Sequence, residues 1–62
     1  MTRERAKLHL KRAMLHRDYL FNAYVRYANP KAKTHDEYIK NELIKDIRLI
    51  NERISNLQRI AL

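Results

Sequence analysis

Leu43, Ile47, Ile50, Ile54, Leu57 and Ala61 follow one another at spacings of four, three, four, three and four residues. That alternation places them on one stripe of an α-helix, a heptad seam with Ile47, Ile54 and Ala61 at a and Leu43, Ile50 and Leu57 at d. Ile39 extends the stripe by a turn, Ile44 and Ile60 widen it on opposite flanks, and Leu49 lies off it. The first half of the chain is patterned more loosely. On a helix turning about 100° per residue, Ala6, Leu10, Ala13, Met14, Leu20, Phe21, Tyr24, Val25, Tyr27 and Ala28 gather into a broad apolar arc.

Only one stretch interrupts these two helical patterns. Pro30 disfavours the helical region at Asn29, so the first helix is predicted to end near Ala28. Thr34-His35-Asp36-Glu37 then matches a capping box, in which the Thr34 hydroxyl accepts from the Glu37 amide and the Glu37 carboxylate reaches back to the Thr34 amide. The expected elements are a helix over about residues 3–28, a turn over 29–34 and a helix over about 35–61. Each helix is ~39 Å long at 1.5 Å per residue. So short a connection forces the helices antiparallel. The fold class is all-α, a single helical-hairpin domain over residues 1–62. The arc on the first helix is wider than one partner helix covers, and a chain of 62 residues is close to the lower limit for burying an adequate core. Dimerisation of two hairpins into a four-helix bundle, a homodimer, is therefore expected.

Arg17 sits inside the apolar arc, between Ala13 and Leu20, Phe21 and Tyr24. An unpaired guanidinium is costly there, so it must find an acid or extend its head past the core edge. Pairing residues whose numbers sum to about 63, as a turn between Ala28 and His35 implies, sets Arg17 opposite Asp46, with Glu42 a turn away. An ion pair fixing the hairpin register is expected here in preference to a ligand-binding arginine. Among the tyrosines, Tyr24 and Tyr27 fall on the core arc, Tyr38 is placed to close the end of the bundle against them, and Tyr19 points outward.

Composition changes the picture through charge. Fourteen Lys and Arg against seven Asp and Glu give a net charge of +7. Residues 1–33 hold nine bases against Glu4 and Asp18, whereas residues 34–62 hold five bases and five acids. The whole excess lies in the first half, which favours a polyanion, an acidic protein or an anionic membrane as partner. Arg5, Arg12, Tyr19 and Arg26 recur every seven residues on the face opposite the core arc, with His9 and His16 on one side of the line and Leu8 and Leu15 on the other. Three arginines without an acid on their line suit phosphate or carboxylate recognition, and a tyrosine among them can stack on a base or pack at a protein interface. A plain solvated face is the alternative, with Leu8 and Leu15 as incidental apolar exposure.

Other chemistries find little footing. The chain has no Cys and no Gly, which removes thiol chemistry, disulfides and glycine-rich phosphate loops. His9 and His16 stand two turns apart, too far to chelate one ion as an i, i+4 pair does, and Asp36 and Glu37 are accounted for by a helix N-terminus. No catalytic residues, metal or cofactor are expected, and the chain is read as no enzyme. No apolar run exceeds three residues, against roughly 20 for a membrane span, and the start lacks the apolar region of a signal peptide, so a cytoplasmic location is expected. The expected function is a small non-catalytic regulatory or accessory protein that binds DNA or RNA with low sequence specificity through Arg5, Arg12, Tyr19 and Arg26. The alternative is an adaptor or inhibitor that docks the same face, including Leu8 and Leu15, onto an acidic protein. A membrane-surface helix is a weaker third reading, because the core needs the apolar arc.

Overall fold

A computed structural model describes all 62 residues as two antiparallel helices, α1 (Arg3–Ala28) and α2 (Glu37–Ala61). Thr2 caps α1, its hydroxyl oxygen accepting from the Arg5 amide at 3.2 Å, and Glu4 in the first turn and Arg26 in the last suit the helix dipole. At the other end Asn29 leaves the helix in an extended conformation, φ −74° and ψ 112°, as the following proline requires. The Asn29 side-chain oxygen accepts from the Lys31 amide at 3.0 Å, and two successive turns follow, with the Ala32 amide on the Asn29 carbonyl and the His35 amide on the Ala32 carbonyl.

The turn is longer than the sequence predicts, and the cap of α2 is a different residue. Asp36 is the N-cap, its carboxylate accepting from the Ile39 amide at 3.0 Å. The Thr34 hydroxyl instead donates to the Arg26 carbonyl at 2.8 Å, while the Asp36 amide donates to the Tyr27 carbonyl at 3.0 Å. Two carbonyls left over at the end of α1 are thereby satisfied by the residues that lead into α2. The expected capping box fails because the Thr34 hydroxyl is already committed across the turn. The Glu37 carboxylate, released from that role, binds His35 Nε2 and Lys40 Nζ, each at 2.9 Å. Hydrogen bonding from Lys40 first, and from His35 second, holds the Glu37 carboxyl below the usual carboxylate range, and Glu37 in turn raises the Lys40 ammonium above its usual value. The depressed carboxyl gives its support above the usual carboxylate range and loses it as pH falls through the lowered value. The raised ammonium gives its support below the usual lysine range and loses it as pH rises through the raised value.

Six residues are buried, all apolar: Ala6, Ala13 and Leu20 from α1, and Ile50, Ile54 and Leu57 from α2. Leu43, Ile47 and Ala61 complete the α2 seam as partly buried neighbours, and Leu49 is exposed, so the heptad reading of this helix holds. On α1 the line facing α2 is the seven-residue series of Ala6, Ala13 and Leu20, and the large aliphatic and phenyl side chains of the arc lie to one side of it. Leu10 and Met14 are half-buried there, and Phe21 and Val25 remain 44% and 68% exposed.

Arg17 is half-buried and has no acid within ion-pair distance, so the expected pair with Asp46 is absent. Asp46 is at the anticipated height but on the other flank of the hairpin, where it lines a recess with His16. Glu42 does not take its place, since its one ion pair is with Lys45 at 3.4 Å. Tyr38 is 74% exposed and does not close the end of the bundle. His35, expected in the first turn of α2, lies before it and is half-buried against Glu37.

At the open end the Arg3 guanidinium donates to the Leu62 carbonyl at 2.6 Å, tying the outer ends of the two helices together. The hairpin measures 45 × 15 × 12 Å, with a radius of gyration of 14.1 Å against ~11 Å for a compact domain of this length. Its accessible surface is 5098 Å² for a mass of 7.6 kDa. A compact monomer of that mass exposes about 4,300 Å².

Candidate functional site

Positive charge on α1 goes uncancelled within the molecule. The two ion pairs, Lys40–Glu37 and Lys45–Glu42, and the His35–Glu37 hydrogen bond all lie in the turn and the first half of α2. No basic side chain of α1 has an acidic partner. Arg5, Arg12, Tyr19 and Arg26 are all exposed and, at 1.5 Å per residue, extend along about 32 Å of the helix. The stripe therefore exists as an exposed set, and its members open onto different features.

Arg12 lines a groove between the helices of about 280 Å³ with His9, Ala13, His16, Ile50 and Arg53. Tyr19 and Arg26 line a smaller depression of about 200 Å³ with Asn22, Ala23 and Tyr27. Arg5 stands apart toward the open end. Leu8 and Leu15 are exposed on the side of α1 away from α2, and Leu15 borders a recess with Lys7, Leu10, Lys11, Met14 and Asp18.

The sequence reading set His9 and His16 beside the outer stripe and did not single out Arg53. In the structure all three meet across the helix pair. A signal was present in the sequence: with numbers summing to about 63, Ala13 faces Ile50, His9 faces Arg53 and His16 faces Asp46 to within a residue. Selecting that flank required knowing that the Ala6, Ala13 and Leu20 line faces α2.

No three His, Asp or Glu side chains come together to hold a metal ion, and no helix is long and apolar enough to cross a membrane. No protein-family model, curated protein or solved structure matches the chain.

Proposed function

We propose that this chain is a small non-catalytic accessory or regulatory protein that works as a homodimer and binds DNA or RNA through the basic side of α1. The observation that carries the reading is the exposed seven-residue repeat of Arg5, Arg12 and Arg26 around Tyr19, on a helix whose cations have no acidic partners. Phosphates spaced along a strand match such a line, guanidinium forks bind them without regard to sequence, and the tyrosine offers a stacking face. No Asn, Gln or acid lies on the line to read base edges, so binding discriminates little between sequences. Electrophoretic retardation of duplex DNA, single-stranded DNA and RNA at about 50 mM salt, where phosphate contacts count most, tests the reading. A shift of at least one is expected; no shift of any at tens of micromolar protein overturns it.

Dimerisation is supported by the surface left over. The hairpin exposes about 800 Å² more than a compact chain of its mass, and a standard interface buries about 800 Å² from each partner. Phe21 and Val25, with half-buried Leu10 and Met14, supply an apolar face on a different side of α1 from Arg5, Arg12 and Arg26, with the half-buried Arg17 at its edge. Two hairpins joined there form a four-helix bundle that displays the stripe twice. Sedimentation equilibrium is expected to give a dimer at micromolar concentration with a concentration-dependent melting temperature. Phe21→Glu and Val25→Glu, each at an exposed position, are expected to weaken it about 100-fold, the cost of burying a charge at an apolar interface. A folded wild-type monomer whose melting is independent of concentration contradicts the assembly.

The rival reading, an adaptor docking onto an acidic protein, draws on the exposed Leu8 and Leu15 beside the arginines. Replacing both leucines separates the two. Lost capture of a partner with nucleic-acid binding intact favours the adaptor, and no effect on either favours the nucleic-acid reading.

A further inference from the structure

The groove between the helices gathers arginine and histidine side chains from both of them. His9, Arg12 and His16 come from α1 at i, i+3 and i+7, Arg53 comes from α2, and Ala13 and Ile50 form a buried apolar floor. None of the four polar side chains hydrogen-bonds or ion-pairs within the protein, whereas His35 at the turn is committed to Glu37. Asp46 is the one acid at the edge. It lines an adjoining recess of about 360 Å³ with His16, Leu49, Ile50 and Arg53, yet forms no ion pair with His16 or Arg53.

We infer that His9, Arg12, His16 and Arg53 form a seat for a phosphate group, which on the proposed function is a backbone phosphate of the bound nucleic acid. Two arginines, one from each helix, line the same groove, and guanidinium forks on opposite walls suit a tetrahedral anion that accepts from both. Ala13 leaves the floor open where a longer side chain fills it. The apolar floor also weakens solvent screening, which strengthens charge-assisted hydrogen bonds made above it. Arg12 belongs to both the seat and the outer stripe, so a strand tracking the stripe passes over the groove. The charge facing the anion is set by Arg12 and Arg53 against Asp46, and the two imidazoles add ring N–H donors.

Fluorescence anisotropy of a labelled duplex with the full chain tests the seat at about 0.1 M salt, where each lost phosphate contact weakens binding about eightfold. Arg53→Gln, at an exposed position, is expected to retain the helical circular dichroism, to bind about 60-fold more weakly as a dimer that loses two contacts and to flatten the salt slope by about two. The paired change His9→Ala, His16→Ala, which removes both ring donors, is expected to weaken binding several-fold with the helical circular dichroism retained. Unchanged affinity and slope in Arg53→Gln, or unchanged affinity in the histidine pair, overturns the seat while leaving the proposed function standing. Titration with inorganic phosphate, followed by nuclear magnetic resonance, separates the opposite case. Shifts centred on His9, His16 and Arg53 in a chain that binds no nucleic acid support the seat and overturn the proposed function. Shifts elsewhere, or none, overturn the seat.

Discussion

Replacing Ile54 with alanine is expected to lower stability by about 2–5 kcal/mol, the cost of deleting three carbons from a packed site that collapses only in part. Ile54 is 3% exposed, the most buried residue of α2, and sits in the middle of a core of only six residues. A chain of 62 residues has a total stability of about 3–9 kcal/mol, so this one change removes a large part of it. Leu49→Ala, a comparable truncation outside the seam at an exposed position, is expected to stay within about 0.5 kcal/mol. Urea denaturation followed by circular dichroism compares the two. Equal midpoints in both variants remove the heptad account of α2.

The parts of the fold that were legible in the sequence rest on strong local signals. Six apolar residues in strict heptad spacing on α2 fix which side of that helix is buried, and Pro30 fixes the end of α1. The α2 cap was less legible because Thr34 and Asp36 both carry a suitable oxygen, and the choice depends on a hydrogen bond across the turn to the Arg26 carbonyl. The rotation of α1 about its own axis was the larger difficulty. Its large apolar side chains, Leu10, Met14, Phe21 and Val25, draw the apparent centre of the arc to one side, while the line that meets α2 is built on Ala6, Ala13 and Leu20. Close approach of two helices favours small residues at the contact, and small residues weigh little in a hydropathy pattern. The same rotation places Asp46 beside His16 and not Arg17, and carries His9 and His16 from the rim of the stripe into the groove.

A chain carrying Arg5→Gln, Arg12→Gln and Arg26→Gln together is expected to fold as the wild type does, because all three side chains are exposed and none is engaged in an ion pair or hydrogen bond. Its duplex affinity at about 50 mM salt is expected to fall by 10³-fold or more, since a dimer loses six phosphate contacts and the counterion release that accompanies them. Leu8→Ala with Leu15→Ala is expected to change that affinity by less than about threefold, because neither side chain contacts phosphate on this account. Anisotropy titrations at one salt concentration check both. Equal losses in the arginine and leucine variants contradict the assignment of the face to nucleic acid.

The most direct measurement is the salt dependence of binding by the unaltered chain to a duplex of about 20 base pairs, long enough for the ~39 Å helices to lie along it. At least six neutralised phosphates predict that log K falls against log salt with a slope of about −5 or steeper, a loss of roughly 10³-fold between 50 and 200 mM. A slope near zero, or no binding at the low-salt end, contradicts the account.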